Sequence, residues 1–344
     1  MHGEKIIALA FKLADVIGLL LAPCAALVAA VQARIGSHKL PMTFRIWDLF
    51  KVMPIRYHYY QPVYNVAGLP ASTWSEKDPL YGVDLNVEGQ LKLLQDIHYN
   101  SELERVPIGR PDRPLGFFHN NPTFGPGDAE ILYSMIRHFR PKRVIEVGSG
   151  FSTRMAKHAL DRNREEGSAS KHVCIEPYEM PWLESLGVDQ VIRSKVEDLD
   201  LTLFRELKEN DILFIDPSHV LRTRGDVYHI YLHILPNLSK GVLVHVHDVF
   251  LPSEYPKEWI LSERRFWNEQ YLLQAFLAFN SEFEVVLAIH YLSTHHPEEL
   301  SAKCPVYSKF RFGHGSFWMR RKFKENGQYF PGVPGTGTDL SDVT

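Results

Sequence analysis

From Arg143 onward the chain alternates between short β-branched runs and stretches that read as helix, with turns between them. The runs are RVIEV, HVCIEP, QVIRSKV, DILFID and GVLVHVHD, and between most of them lie STRMAKHAL, PWLESL, LTLFRELKEN and DVYHIYLHILPNL. A further helix, NEQYLLQAFLAF, leads into a sixth strand, FEVVLAI, and GSFWMRR reads as a last strand. Strands alternating with helices at this spacing commit the chain to a parallel sheet covered on both faces. The strands are nearly continuous in apolar residues, as burial on both faces requires. There is no internal repeat, and 45% hydrophobic residues in 344 is ample material for a core.

The residues before that region behave differently. From 6 to 31 the chain is strongly apolar, interrupted only by Lys12 and Asp15. The uninterrupted part, 16–31, is shorter than the roughly 20 residues of a spanning helix. Asp15 and the lack of a clear cleavage site disfavour a signal peptide, and Pro23 spoils the lipoprotein-like LAPC. The reading adopted is a membrane helix, spanning or lying in the interface; a buried amphipathic helix is the alternative. Arg34, Lys39, Arg45, Lys51 and Arg56 follow the apolar region and only Lys5 precedes it. That bias places the bulk of the protein in the cytoplasm.

Four segments are therefore expected. Residues 1–40 form the membrane helix with its basic flank. Residues 41–128 form a helical and aromatic extension, which includes PIRYHYYQPVYN and ends in the loop NNPTFGPGD, with Asp128 placed to cap the next helix. Residues 129–323 form the α/β domain, and the Gly-, Pro- and Thr-rich 324–344 reads as a flexible tail. A net charge of −3 gives no reason to expect a nucleic-acid partner. Cys24, Cys174 and Cys304 form no CxxC pair, which argues against a disulfide framework or a structural zinc site and for a reducing compartment.

Ligands of open α/β sheets bind beyond the carboxyl ends of the strands. The first strand, VIEVGSGFST, delivers Glu146, Gly148 and Gly150 to that edge. Glycine lets backbone approach a ligand, and the following helix offers free N–H groups. One strand later CIEPYE places Glu176, where a carboxylate can accept hydrogen bonds from two ribose hydroxyls. A Gly-x-Gly turn alone has a purely structural explanation; its pairing with the acid is more specific. A nicotinamide fingerprint wants glycine where Thr153 stands and has no use for an acid inside the first strand.

The hhEhGxG run instead resembles motif I of class I S-adenosylmethionine-dependent methyltransferases, and the resemblance covers roughly residues 130–321. IEVGSGFST, IDPSHV and HVHDVF look most like bacterial proteins of methyltransferase family 24. The resemblance implies a Rossmann-like α/β fold: a seven-stranded, mostly parallel sheet with its last strand antiparallel and helices on both faces. It also implies S-adenosylmethionine as cofactor. Gly148 and Gly150 would lie against its methionine part with Glu146 beneath, Glu176 on the ribose, and Val196 and Glu197 beside the adenine. Ser152 stands at the third glycine position of the commonest form, a departure that O-methyltransferase branches tolerate.

The fifth strand ends LVHVHDVF, two histidines and an aspartate within four residues, and the fourth ends FIDPSHV. These strands are neighbours in the class I order, so Asp216, His247 and Asp248 converge. Two carboxylates and an imidazole suit a divalent ion that also binds substrate oxygens. The catechol O-methyltransferase type, which these positions resemble, holds magnesium with an acid after the fourth strand and an acid–amide pair after the fifth. Asp216, His247 and Asp248 match those positions, although the histidine suits manganese, iron or zinc better. His219 falls where that type carries its catalytic lysine, and an imidazole can remove a hydroxyl proton. The plainer readings are aspartates that cap turns, a PSH turn leading to a helix, and His245 as a hydrogen-bonded core residue.

The implied reaction is methyl transfer to a hydroxyl of a small-molecule, glycan or lipid-linked acceptor, with Asp216, Asp248 and His219 catalytic. PIRYHYY and EYPKEWILSERRFWNEQY supply aromatic and basic side chains suited to a sugar, a phenol or a phosphorylated headgroup, the second placed as a lid after the fifth strand. Two alternatives stay open: a redox-metal hydroxylase on a related fold, and an inactive methyltransferase-like scaffold at the membrane. The sequence does not indicate an oligomeric state.

Overall fold

The structure, a computed structural model, describes residues 2–112, 115–178, 180–310 and 315–323. The expected tail, 324–344, lies outside the described residues. The chain divides into two compact units. The first runs to Thr73 and includes Pro256–Phe266; the second runs from Trp74 to Tyr255 and resumes at Trp267.

In the first unit α1 (His2–Ile35) is one continuous helix, with Pro23 inside it. Its stretch Ile6–Ile35 is 30 residues long and contains an 18-residue window with mean hydropathy 2.2, none of it buried, long and apolar enough to cross a membrane. At 1.5 Å per residue that is roughly 45 Å, more than a hydrocarbon core of about 30 Å. Lys12 and Asp15 shorten the apolar run in the sequence without breaking the helix. A short helix, α2 (Pro41–Leu49), follows. Within the same unit Tyr64 meets Phe266 edge-on at 5.2 Å.

The second unit is built on the expected sheet. Its strands are β1 (Arg143–Val147), β2 (Lys171–Ile175), β3 (Gln190–Ile192), β4 (Ile212–Ile215), β5 (Leu243–Val246), β6 (Phe283–Ala288) and β7 (Phe317–Arg321), in the spatial order β3-β2-β1-β4-β5-β7-β6. β7 runs antiparallel to both neighbours, β5 and β6, and the pairs among β1 to β5 are parallel. Alternation along each strand sends Ile145, Val147, Leu213, Ile215, Val244 and Val246 into one core. It sends Val144, Ile212, Phe214 and Leu243 into the other. Both faces are therefore apolar, which is why the strands read as continuous runs.

Three helices matter for the site and its support: α3 (Val87–Asp96), α4 (Asp128–Phe139) and α5 (Phe151–Glu165). α3 closes the β6 edge of the sheet. Ala288 N–H donates to Gln90 Oε1 at 2.8 Å, and Asn86 Nδ2 donates to Val285 O at 3.0 Å. Of the extension expected over 41–128, residues up to Thr73 belong to the first unit and those from Trp74 belong to the sheet unit. The N-cap of α4 is Gly127, and Asp128 is the first helical residue. The Asp128 carboxylate instead accepts from Gly315 N–H at 3.1 Å and Ser316 N–H at 2.9 Å. The segment expected as a lid, 254–271, is also divided, with Pro256–Phe266 in the first unit.

Candidate active site

The turn after β1 is held from below. Glu146 is fully buried, and its carboxylate accepts from Thr153 Oγ1–H at 2.6 Å and pairs with His172 Nε2 at 3.0 Å. Thr153 Oγ1 in turn accepts from Gly150 N–H at 3.0 Å. The residue that breaks the nicotinamide fingerprint is therefore the bridge between the turn and the acid beneath it. Gly148 has φ +82°, and a Cβ there would lie 1.9 Å from the Asp216 carbonyl oxygen, so only glycine lets β1 and β4 end this close together. Gly150 differs: a Cβ there would meet nothing within 4 Å.

Glu176, at the end of β2, closes the other side of the turn. Its Oε2 accepts from Ser149 N–H at 3.2 Å and its Oε1 from Tyr178 N–H at 3.1 Å. Beside it opens a cavity of about 740 Å³ lined by Gly148, Glu176, Tyr178, Val196, Glu197 and Asp216, with Lys195, Arg222 and Arg224 also contributing. Of the residues expected on the cofactor, Gly148, Glu176, Val196 and Glu197 line this cavity. Glu146 and Ser152 are buried in the turn's support, and Gly150 faces open space.

Asp216 belongs both to that cavity and to a polar cluster formed by the ends of β4 and β5. His219 Nε2 lies 3.1 Å from Asp216 Oδ1 and 3.6 Å from Asp248 Oδ2. His247 Nδ1 lies 3.5 Å from Asp216 Oδ1 and 3.6 Å from Asp248 Oδ1. That buried nitrogen has no hydrogen-bond partner among the described residues. Asp216, His219 and Asp248 offer ligand atoms that all lie within 4.8 Å of one another. His219 and Asp248 both adopt left-handed backbone, φ +60° and +57°. For residues with side chains this is uncommon and gathers at functional sites.

Two buried carboxylates outside the expected set stand behind the histidines. Glu269 Oε2 is 2.8 Å from His219 Nδ1, and Asp128 Oδ2 is 3.6 Å from His247 Nε2. The N–H groups of Asn268 and Glu269 also donate to the His219 carbonyl at 3.0 and 3.2 Å, and the Trp267 ring lies 4.2 Å from the imidazole. His245 is a core residue as expected: Nε2 meets Ser316 Oγ at 2.8 Å and the ring stacks on Phe214 at 4.3 Å.

The cluster is electrostatically tight. Burial by itself would raise the Asp216 pKa, but the His247 and His219 rings hold the carboxyl well below its usual range. Burial opposes the charged form of His219, yet its bonds to Asp216 and Glu269 outweigh that and raise the ring to about 10. Burial is likewise outweighed at His247 by the charges of Asp248 and Asp216, so its pKa also rises. Burial pushes the carboxyls of Asp248 and Glu269 upward.

The donor set fits a divalent ion by its own chemistry: two carboxylates converge with an imidazole nitrogen, His247 Nδ1, that makes no hydrogen bond among the described residues. Asp128 behind His247 is the kind of carboxylate that fixes a ligating histidine, and Glu269 orients the His219 ring in the same way. The turn also fits a bound cofactor, because Gly148 on it and Glu176 beside it line one cavity of about 740 Å³.

Residues 145–249 match the family model described as a methyltransferase domain, family 24. A protein of Archaeoglobus fulgidus, itself uncharacterized, is 32% identical over 170 residues, which cover 45% of this chain and 74% of that one. Among solved structures, the O-methyltransferase TomG of Streptomyces achromogenes, in complex with S-adenosylmethionine, is 14% identical with a TM-score of 0.35, covering 70% of this chain and 92% of its own. An O-methyltransferase of Bacillus cereus in complex with S-adenosylhomocysteine is 13% identical with a TM-score of 0.35, covering 68% and 90%.

Proposed function

The chain belongs to the class I S-adenosylmethionine-dependent methyltransferases, family 24, and from that premise we propose that it methylates a hydroxyl of a small-molecule, glycan or lipid-linked acceptor. The observation that carries this reading is the double membership of Asp216. It lines the cavity that Glu176 opens and also bonds to His219 in the acid–imidazole cluster.

S-Adenosylmethionine supplies a sulfonium methyl, already electrophilic, so the residues have chiefly to bind and orient. Glu176 accepts hydrogen bonds from the ribose hydroxyls while Val196 and Glu197 flank the adenine. Glu146, through Thr153, keeps the Gly148–Gly150 backbone in place against the methionine part. Asp216 and Asp248 receive the acceptor hydroxyl. His219 takes its proton at Nε2, because Nδ1 is committed to Glu269. Asp216, His247 and Asp248 would hold a divalent ion, whose charge would acidify the hydroxyl and offset the carboxylates that otherwise keep His219 protonated. α1 anchors the enzyme in the membrane, with the second unit on the cytoplasmic side that the basic flank indicates.

Calorimetric titration of the detergent-solubilised full chain with S-adenosylmethionine and S-adenosylhomocysteine tests the reading. Micromolar binding is expected, weakened at least tenfold by Glu176→Ala without loss of fold. Folded protein that binds neither, with or without manganese or magnesium, overturns it.

A further inference from the structure

The chain between α1 and residue 60 does not have the surface of a soluble domain. In α2, Met42, Ile46 and Leu49 are 77, 58 and 75% exposed, and Phe50, just after it, is 70% exposed. Positions 42, 46, 49 and 50 fall on one side of a helix. The opposite side is already occupied: Phe44 is buried, and Trp47 Nε1–H donates to Gln32 Oε1 at 2.7 Å. Gln32 lies in the last turn of α1, so this bond fixes α2 at the level where the membrane-length helix ends. The exposed apolar surface continues through Val52, Met53, Ile55, Tyr57, Tyr59 and Tyr60. Over 39–60 there are four cations, Lys39, Arg45, Lys51 and Arg56, and one acid, Asp48.

A short amphipathic helix with apolar, aromatic and basic side chains at this depth matches the chemistry of a bilayer interface. Apolar side chains enter the acyl boundary, tyrosines sit among headgroups, and cations face anionic lipid. A protein partner would not account for the surface beginning where α1 ends. We propose that α2 and the residues following it to Tyr60 lie in the headgroup layer and bind anionic lipid, forming a membrane contact distinct from α1. The proposal rests on the reading of α1 as a membrane helix and adds a lipid preference that a spanning helix alone would not confer.

The test uses the full chain in nanodiscs of phosphatidylcholine alone and of phosphatidylcholine with phosphatidylglycerol in equal parts. Amide exchange over residues 41–56 should slow at least tenfold in the anionic discs. The double variant Arg45→Glu, Lys51→Glu should abolish that difference. Equal exchange in the two compositions, in a chain that resists extraction by alkaline carbonate, overturns the lipid contact and leaves the α1 anchor standing. A chain that carbonate strips from membranes of either composition overturns the anchor, and the proposal with it.

Discussion

Gly148 and Gly150 sit two residues apart in one turn, yet substituting them should have opposite consequences. At Gly148 a Cβ would meet backbone, the Asp216 carbonyl oxygen at 1.9 Å, from a left-handed φ of +82°. Gly148→Ala therefore has to move β1 against β4, and a loss of about 3 kcal/mol is expected in denaturant unfolding. At Gly150 the Cβ would meet only open space, so Gly150→Ala should leave stability within about 0.5 kcal/mol. If that space belongs to the cofactor, affinity for S-adenosylmethionine falls at least tenfold; unchanged affinity removes Gly150 from the site. The two histidines separate in the same way. His247→Ala should lose manganese binding measured by calorimetry, whereas His219→Ala should keep it and lose turnover. Loss of metal in both variants would make His219 a ligand, in keeping with its 3.1 Å approach to Asp216, and end its role as proton acceptor.

The support of the sheet edge gives the prediction that belongs to the elements. Gln90 is fully buried on α3, accepts from Ala288 N–H and donates to Leu85 O at 2.6 Å. Gln90→Leu keeps the volume and strands both backbone groups away from water, a cost of about 3 kcal/mol by the usual penalty for unsatisfied buried polar groups. A midpoint shift in urea smaller than 0.5 kcal/mol in equivalent stability would mean that the β6 edge does not depend on α3. The same contact shows where sequence reading succeeds and where it stops. Glu176, Asp216, His247 and Asp248 could be placed from the chain alone because strand ends are set by local pattern and neighbouring ends converge by the order of the sheet. Gln90, Asp128 and Glu269 could not, because each reaches its partner through the docking of a helix. Glu269 opens a helix, where an acid has an ordinary explanation in the helix dipole; only folding places it on His219. The division of 254–271 between the two units was hidden for a similar reason, since its aromatic and basic composition does not say which unit receives it.

For the whole molecule the question is what a membrane-length helix does on an enzyme of this kind. Methyl transfer to a soluble acceptor needs no anchor; an acceptor confined to the bilayer does, because anchoring raises its effective concentration at the site. α1 is unburied and apolar over 30 residues, and the proposed site carries carboxylates and imidazoles suited to a hydroxyl rather than to an aliphatic chain. If α1 is a membrane anchor, as proposed, a headgroup or lipid-linked glycan hydroxyl is the acceptor that would satisfy both. Membranes containing the full chain and incubated with methyl-labelled S-adenosylmethionine should therefore carry label in the solvent-extractable lipid fraction. Asp248→Ala should remove that label while cofactor binding stays nearly unchanged, because Asp248 lies in the polar cluster and does not line the Glu176 cavity. Label confined to the aqueous phase, and equally dependent on Asp248, would assign a soluble acceptor and reduce α1 to a means of localisation. Label that survives Asp248→Ala would remove the acid–imidazole cluster from the transfer itself.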